Sequence, residues 1–454
     1  MNQMTRRDWM KAATAALAAA AGTSGLLRAD EPFATSPSGK GTGSAVAGSA
    51  PAGPVVIEGG QVIQPRRELP ILRKTQVLVI GGGPAGVSAA LSARRLGVDV
   101  TLVERYGHFG GLWTGGLVLY VFPMFDRKGK QVVRGMGEEM LKRIEKLDRG
   151  AINRKGNPTV DAEAAKYAMV EMVVESGMNV YLHCWACEAI LVGGCVRGAV
   201  FESKSGRQAI LADVVIDTTG DGDVFASAGA GYEKTIYDIG LVSRLGNLDK
   251  VDKAKAAEAK AAGAKPPGNL GAATPIPGVT WVNMRGPKAD GLDVAELTRI
   301  ELNSRRAIWK NVERIRQSPG YEQAYLVETA PQLGVRLTRL LEGVSRLTYA
   351  EARAGKTFSD AIGCGGVEGS TPVEWQIPYG ILVPKTLDGL LTAGRSVSAD
   401  FKMADILRLI AICYVTGQAA GVAAALSVQD KCPPRKVEIA RLQAELKKQD
   451  VWIG

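Results

Sequence analysis

Short apolar runs alternate with an amphipathic segment at the start of the ordered chain, which we expect to begin near Arg73. Residues 76–80 and 98–103 are apolar runs of strand length, and residues 85–96 between them have the spacing of a helix. A strand, a helix and a strand in this order predict a right-handed βαβ unit. Helices are also predicted at 137–147 and 161–176, and short strands between 179 and 216.

The pattern changes in the second half of the chain. Residues 232–371 are more polar and irregular, with a Lys/Ala-rich helix near 250–262 followed by a Pro/Gly stretch. This change predicts a region inserted into the βαβ fold as a cap. A last helix over 404–426 is predicted to be apolar almost throughout.

This last helix has two interpretations. Residues 409–428 form a long apolar stretch with Gln418 as its most polar member, and Gly417 and Gly421 form a GxxxG motif, as in some membrane spans. The stretch lacks charged and aromatic flanks on both sides, and a helix buried against a sheet is equally apolar. We therefore favour a buried helix and expect no stable membrane span.

The N-terminus has the order of a secretory signal. Arg6 and Arg7 precede an Ala-rich apolar stretch at 12–21, and small residues lead to Ala29. The adjacent arginines favour the twin-arginine route over a cytoplasmic protein with an Ala-rich first helix. Residues 1–29 are thus predicted to be a twin-arginine signal sequence for a periplasmic or extracellular destination. The Pro, Ser and Gly content that follows predicts a flexible linker at 30–70.

Composition narrows the class of protein without deciding its function. Hydrophobic residues make up 46% and charged residues 22% of the 454 residues, as in a soluble globular protein. The net charge of +10 is spread over helical stretches and forms no basic stripe interleaved with aromatic residues. We therefore expect no nucleic-acid partner.

The cysteines and histidines limit the possible metal chemistry. Cys184 and Cys187 form a CxxC, without the second pair of a zinc ribbon or the serial spacing of a ferredoxin cluster. Buried or half-buried structural thiols are expected there. His108 and His183, the two histidines of the chain, are too few for a site built from several imidazoles, so no metal site is predicted.

The sequence Gly81-Gly-Gly83-Pro-Ala-Gly86 follows the first predicted strand and opens the first predicted helix. In this context GxGxxG is the fingerprint of dinucleotide binding. Gly81 allows a tight turn, Gly83 lets the backbone approach a pyrophosphate, and Gly86 lets the helix pack on the strand. Glu104, at the end of the second strand, would accept hydrogen bonds from ribose hydroxyls and repel a 2′-phosphate. The adenosine is therefore expected to be that of FAD or NAD.

From Glu104 onward the chain resembles the FAD-dependent oxidoreductases of the broad grouping that includes the flavin subunit of heterodisulfide reductase. Four stretches over roughly residues 74–427 carry the resemblance: an E-x-x-x-x-x-G-G-x-x-T run at 104–114, an IDATGDGD-like turn at 216–223, an LLVAGRxxS-like segment at 390–398 and an R…GQAAG-like helix at 408–421. The resemblance implies non-covalently bound FAD. With the fingerprint, it implies these cofactor-binding residues: Gly81, Gly83, Pro84, Ala85, Gly86, Glu104, Arg105, Gly110, Gly111, Thr114, Thr219, Gly220, Asp221, Gly394, Arg395, Gly417 and Gln418.

A looser match at 333–339 resembles a GIRESRR segment that faces the flavin pocket in the family. Leu337 and Leu340 replace the family's Glu and one Arg, and relatives often carry a His near Phe401. These differences leave flavin binding in place and put acid/base chemistry in question. The candidate catalytic residues, which would stabilise an anionic flavin edge or bind an acidic substrate unless they form structural ion pairs, are Arg336, Arg395 and Arg408.

The predicted fold is α/β: a Rossmann-type FAD-binding domain with a parallel sheet and helices on both faces, formed by 71–231 and 375–454, and an inserted α+β substrate or cap domain at 232–374. The predicted function is that of an FAD-dependent oxidoreductase that transfers hydride between a small-molecule substrate and the flavin. No second dinucleotide fingerprint is found, so an external electron acceptor is expected. Two alternatives stay open: an iron-sulfur-linked electron-transfer flavoprotein, for which the isolated CxxC is a poor match, and a flavin-binding protein without catalysis.

Overall fold

The computed structural model describes residues 53–454, apart from 127, 154–155, 266, 284 and 367–373. The predicted signal sequence, with Arg6 and Arg7, and the first part of the predicted linker lie outside the described residues. The second part of that linker contains a short, mostly exposed hairpin. The first long strand begins at Ile71, close to the expected start of order at Arg73.

The described residues contain ten α-helices and twenty-two strands. The helices are α1 (Pro84–Arg95), α2 (Met136–Glu145), α3 (Ala162–Ser176), α4 (Asp223–Ser227), α5 (Lys253–Ala261), α6 (Val294–Arg316), α7 (Tyr349–Arg353), α8 (Phe401–Leu407), α9 (Ile410–Gln429) and α10 (Ile439–Lys448). The strands are β1 (Val56–Glu58), β2 (Gln61–Ile63), β3 (Ile71–Ile80), β4 (Val100–Val103), β5 (Ala151–Ile152), β6 (Thr159–Val160), β7 (Asn179–Tyr181), β8 (Trp185–Val192), β9 (Cys195–Ser203), β10 (Gly206–Asp217), β11 (Tyr232–Lys234), β12 (Tyr237–Gly240), β13 (Val242–Gly246), β14 (Ala272–Ala273), β15 (Thr280–Asn283), β16 (Lys288–Ala289), β17 (Tyr325–Thr329), β18 (Gly334–Val335), β19 (Arg339–Leu341), β20 (Ala361–Gly365), β21 (Trp375–Pro378) and β22 (Leu390–Thr392).

A seven-stranded sheet forms the centre of the fold, in the order β7, β4, β3, β10, β9, β8, with β22 beside the second half of β10. Strands β7, β4, β3, β10 and β22 are parallel, and Ile80, Val103, Asp217 and Thr392 mark a common edge where their carboxyl ends meet. Ligands of open α/β sheets bind at such an edge. The arrangement confirms the predicted Rossmann-type domain.

Side chains of the central strands alternate between two cores. Val77, Val79 and Leu102 point into the larger core, which also contains residues of α1, α3 and α9. Leu78 and Val103 point into the smaller core, which contains residues of the short helix α4 and the partly buried residues of β8. This alternation follows from the two-residue period of a strand, and both faces of the sheet are buried.

The predicted last helix is divided in two. Helix α8 ends at Leu407 and α9 begins at Ile410, because Leu409 between them has an extended backbone. By length and apolar composition α9 resembles a membrane span. However, 94% of its most apolar 18-residue segment is buried inside the protein. The amphipathic helix α10, which was not predicted, follows it and buries Leu442 and Leu446.

The inserted region consists of small antiparallel sheets packed on helix α6. One sheet has the order β14, β15, β13, β17, and another has the order β16, β12, β18. Ile300, Ile308 and Val312 of α6 lie in three small cores with these sheets. Leu347 and Ile362, near the end of the predicted insertion, are both fully buried in the main core.

Asp217 fixes the turn at the end of β10. Its buried carboxylate accepts hydrogen bonds from the backbone N–H and hydroxyl of Thr219, at 3.0 and 2.7 Å, and from the N–H groups of Val224 and Phe225, at 3.0 Å each. Burial raises the pKa of Asp217 to about 6, while these donors oppose the rise because they stabilise the ionised form. The four bonds hold the turn at residues 218–222 in one conformation at the edge of the sheet.

Candidate functional site

A cavity of about 660 Å³ lies at the carboxyl edge of the parallel strands. Its walls come from the turns after β3, β4, β10 and β22, from the start of α9, and from α6 and residues 331–335 of the inserted region. Its size is within the range of small-molecule and cofactor pockets. The sequence-predicted residues that line it are Gly81, Gly83, Pro84, Ala85, Glu104, Arg105, Gly111, Thr219, Gly220, Asp221, Gly394, Arg395 and Arg408.

The three fingerprint glycines have different surroundings. A Cβ at Gly81 would overlap the carbonyl oxygen of Thr218, and a Cβ at Gly86 would overlap the carbonyl oxygen of Gly81. At these two positions the protein's own backbone occupies the space that a side chain would need, so glycine is required for packing. A Cβ at Gly83 would meet no atom of residues 53–454, as far as these are described, within 4 Å, although Gly83 lines the cavity. The space beside Gly83 is therefore open to a ligand.

Helix α1 begins at this open turn. Pro84 occupies its first position and Gly83 is its N-cap, and no side chain in the described part of the chain caps its free N–H groups. A helix N-terminus carries about half a positive charge and unpaired donors, which together favour negatively charged phosphates. The turn and the helix thus provide the features that a dinucleotide's diphosphate requires.

Glu104 is buried at the wall of the cavity, with 5% of its surface exposed. One carboxylate oxygen accepts the N–H of Gly82 at 2.6 Å, and the other accepts the N–H of Tyr106 at 2.8 Å. Each oxygen retains a lone pair for a ribose hydroxyl. Next to Glu104, the guanidinium of Arg105 lies 4.9 Å from the ring centroid of Tyr106 and 5.0 Å from that of Trp185, and all three residues line the cavity.

Two predicted cofactor residues on α9 do not line the cavity. A Cβ at Gly417 would overlap the carbonyl oxygen of Ala85, so Gly417 is a contact between α9 and α1. Gln418 is 1% exposed, and its side-chain oxygen accepts the N–H of Met136 at 2.9 Å. The structure assigns both residues a packing role in place of the predicted cofactor contact, because they lie on the second and third turns of the helix.

Three more predicted cofactor residues, Gly86 included, also lie behind the cavity wall. The hydroxyl of the fully buried Thr114 donates to the carbonyl oxygen of Phe109 at 2.6 Å. A Cβ at Gly110 would overlap the side chain of Thr114. Gly110 and Thr114 shape the loop that presents Gly111 to the cavity. Their positions in the motif therefore indicate the conformation of this loop and not a direct contact with the cofactor.

Arg395 joins separate segments of the chain. Its Nε donates to the carbonyl oxygen of Gly220 at 2.6 Å, its Nη2 donates to Asp221 at 2.7 Å, and its Nη1 donates to the carbonyl oxygen of Val335. The Arg395–Asp221 pair is largely buried. All three guanidinium nitrogens thus hold the cavity wall together, which gives Arg395 a positioning role, and its catalytic role stays a prediction.

The other two candidate arginines differ in their access to the cavity. Arg408 lies at the junction of α8 and α9, lines the cavity, and donates from Nε to Asp405 at 2.7 Å. Arg336 stands outside the cavity wall, and its Nη1 donates to the carbonyl oxygen of Asp238 at 2.9 Å. Arg395 and Arg408 are therefore the predicted catalytic residues that line the cavity, and Arg336 is not among its lining residues.

Sequence patterns missed two polar residues of the wall. Trp113 and Gln332 line the cavity, are 1% and 5% exposed, and have no hydrogen-bond partner for Nε1 and Nε2 respectively among the described residues. Buried donors normally have a hydrogen-bond acceptor, so we expect these two to donate to acceptor atoms of a ligand. The flavin ring, with its carbonyl oxygens and ring nitrogens, fits this requirement.

The positions that depart from the family pattern have ordinary surroundings. Leu337 is buried in the main core with 1% exposure. Phe401 is partly exposed, and its ring centroid lies 5.3 Å from that of Tyr237. Of the CxxC pair, Cys184 is half-buried at the cavity wall, whereas Cys187 is exposed on β8, so the expectation of a buried or half-buried thiol is wrong for Cys187.

Residues 76–446 match the model of a protein family described as FAD dependent oxidoreductase. The chain belongs to this family. FAD is therefore the cofactor expected for this chain. The match covers both halves of the FAD-binding domain and the inserted region between them.

Known relatives cover parts of the chain. Dihydrolipoyl dehydrogenase of Buchnera aphidicola is 58% identical over 38 residues, which are 8% of each protein. Thiamine thiazole synthase of Methanococcus vannielii is 27% identical over 163 residues, 33% of this chain and 57% of that enzyme. The match thus spans less than two thirds of either relative.

Among solved structures, a geranylgeranyl bacteriochlorophyll reductase-like protein of Thermoplasma acidophilum is similar over 84% of both chains, with 15% identity and a TM-score of 0.45. The p-nitrophenol 4-monooxygenase of Pseudomonas putida is similar over 84% of this chain and 89% of its own, with 12% identity and a TM-score of 0.41.

Two glycine substitutions should separate the ligand-facing from the structural part of the fingerprint. Gly83→Ala is expected to leave the stability of the apoprotein unchanged, because Gly83 has φ −71° and ψ −177° and open space around its Cβ. It should weaken FAD binding by at least about tenfold, since the methyl group takes up ligand space. Gly86→Ala should instead destabilise the apoprotein by about 1–3 kcal/mol.

Denaturation of the apoproteins and fluorescence titration with FAD measure the two effects. Wild-type FAD affinity in Gly83→Ala would show that the open turn does not face the cofactor.

Proposed function

We propose that this protein oxidises or reduces a small organic molecule by hydride transfer to or from non-covalently bound FAD. The observation that carries the proposal is a single cavity lined at once by the Gly83 turn, by Glu104, by the start of α9 and by the inserted region. A dinucleotide held at the first two features would extend toward the other two. The inserted region then encloses the site at which a substrate meets the flavin.

The residues that would hold FAD follow from their positions. Glu104 would accept hydrogen bonds from the ribose, and the N-terminus of α1 would bind the diphosphate. Trp113 Nε1 and Gln332 Nε2 would donate to acceptor atoms of the ring. When bound, the flavin supplies the hydride chemistry, and the chain supplies position and charge.

The start of α9 contributes to the charge at this end of the cavity. Ile410 and Cys413 line the wall, and none of the described side chains caps the N-terminus of the helix. No acidic residue occurs in its first turn. Its positive end therefore favours negative charge nearby and would stabilise the reduced, anionic cofactor.

The inserted region supplies the substrate side of the cavity. Leu292, Leu297 and Leu333 provide apolar surface that excludes water, and Thr298 and Glu301 of α6 add polar groups. A small organic substrate with both apolar and polar parts fits this lining. An external acceptor or donor would complete the electron balance. Iron analysis of the purified protein separates this function from the iron-sulfur-linked alternative.

We expect the purified protein to be yellow, with one FAD per chain that heat releases intact. Glu104→Ala should weaken FAD binding by about 1–3 kcal/mol because charge-assisted hydrogen bonds to the ribose are lost. Glu202→Ala removes an exposed carboxylate of β9 and is the matched control, with unchanged affinity.

The FAD of the wild-type protein should also be reduced anaerobically by members of one substrate class in a screen of alcohols, amines and organic acids.

Released FMN or NAD, or the absence of any cofactor, would contradict the assignment of FAD. Stoichiometric FAD that no compound class reduces or reoxidises would instead favour the flavin-binding protein without catalysis.

We also propose that the protein reaches the periplasm or the extracellular space by the twin-arginine route. The support is the order of Arg6, Arg7, the apolar stretch at 12–21 and Ala29. Arg6→Lys with Arg7→Lys should leave a folded, flavin-loaded precursor in the cytoplasm. Arg28→Lys, the same change close to the expected cleavage point, should be exported normally. Cell fractionation followed by flavin analysis distinguishes them, and normal export of the double variant would refute this route.

A further inference from the structure

Glu301 is the one carboxylate that the inserted region contributes to the described lining of the cavity. It lies on α6, one turn after Thr298, which lines the cavity as well. Leu297 and Leu333 belong to the apolar lining from the same region. None of the features that would hold FAD involves Glu301, so its carboxylate is left for a second ligand of the cavity.

Arg305 holds Glu301 in place. Its Nη2 donates to Oε1 of Glu301 and, at 3.2 Å, to the carbonyl oxygen of Ala330. Its Nη1 donates to the hydroxyl of Thr329. Residues 331–333, which follow directly, line the cavity, whereas Arg305 is not among its lining residues. One guanidinium therefore joins the carboxylate of α6 to the neighbouring segment of the cavity wall.

The polar groups that α6 presents at the cavity are hydrogen-bond acceptors. Oε2 of Glu301 has no donor among the described residues, so its lone pairs are available to a ligand. The hydroxyl of Thr298 donates to the carbonyl oxygen of Val294 at 2.7 Å, which uses its proton and leaves its oxygen as an acceptor. A ligand that contacts this part of the wall therefore has to supply the donor.

The charge of Glu301 is already compensated by Arg305. Three arginines of the cavity lining are likewise paired with acidic residues, as Arg395–Asp221, Arg339–Asp223 and Arg408–Asp405. A substrate ion would lose its hydration without gaining an unpaired counter-charge at these groups, which is costly. The wall therefore favours a neutral donor over an ammonium group.

We propose that Oε2 of Glu301 binds the hydroxyl group of a neutral, largely apolar alcohol, and that primary or secondary alcohols are the substrate class of this cavity. This inference rests on the proposed function and specifies its substrate. An alcohol carries its donor on the carbon that exchanges hydride, whereas the carbonyl carbon of a substituted amide carries no hydrogen. Leu297 and Leu333 provide the surface for the apolar part.

The test is a calorimetric titration of the FAD-loaded protein with matched alcohols, methyl ethers and amines. One set is 2-phenyl-2-propanol with its methyl ether and its amine analogue, and a smaller set is tert-butanol with its methyl ether and tert-butylamine. The carbinol carbon of both alcohols bears no hydrogen, so they cannot reduce the flavin and the titration measures binding alone. The ethers lack the donor, and the amines are cations at neutral pH.

For at least one set we expect the alcohol to bind at least about tenfold more tightly than its ether and its amine. Glu301→Leu should lower the affinity for that alcohol by at least about tenfold and leave the ether within about twofold. Glu301→Gln, which keeps a carbonyl oxygen as an acceptor, should lose less. Arg305→Gln leaves the carboxylate uncompensated and should shift the preference toward the amine by at least about tenfold.

Glu313→Leu is the matched control. Glu313 is an exposed glutamate further along the same helix and is not among the lining residues of the cavity. Its replacement should leave the affinity for the alcohol unchanged.

Several results would overturn the proposal. Equal affinity for alcohol and ether in the wild-type protein, tighter binding of the amine, binding of none of the compounds, or equal losses in Glu301→Leu and Glu313→Leu would each do so. A folded Glu301→Leu protein without FAD would also do so, since Glu301 would then belong to the cofactor site.

FAD content and dithionite reduction of every sample keep the two levels apart. A wild-type protein without FAD refutes the proposed function, whereas an FAD-loaded, reducible protein that does not prefer alcohols refutes the Glu301 site alone.

Discussion

The close contact between α1 and α9 is the constraint on which the site depends. Side chains larger than hydrogen at Gly417 and Gly421 would overlap the carbonyl oxygens of Ala85 and Ala89, so the two backbones touch directly. A hydroxyl of α1 also donates to the backbone of α9, across 326 positions of sequence. Because the helices touch near their starting points, both N-termini face one cavity. The distant end of the chain thereby completes the site that the fingerprint begins.

A second set of contacts fixes the inserted region to this frame. Arg395, in the turn after β22, binds Asp221 in the turn after β10 and also binds the carbonyl oxygen of Val335. Thr338 donates to the same carboxylate of Asp221, at 2.9 Å. The turns of the sheet and the wall of the inserted region are therefore held by one buried ion pair. The charge of this ion pair is structural, while Arg408, which also lines the cavity, is paired with Asp405 outside it.

The sequence predicted the elements of this site better than its individual contacts. The strand–helix–strand order, the fingerprint and Glu104 identified the carboxyl edge, because local pattern and backbone geometry are closely linked there. Motif membership was a poorer guide at Gly417, Gln418 and Thr114, which support the loops from behind.

Other features depend on tertiary packing that no local pattern expresses. Trp113 and Gln332 became candidates once burial without a partner was visible, and the break at Leu409 falls within a predicted helix that is apolar almost throughout.

Hydrogen–deuterium exchange of the apoprotein and the FAD-loaded protein tests the central claim most directly, since it reports each segment of the cavity at once. The account predicts that FAD protects the backbone at 81–86 and 104–113 and, to a comparable degree, at 218–223, 393–395 and 408–413. Protection limited to the first two segments would contradict it, because the C-terminal part of the chain would then not belong to the cofactor site.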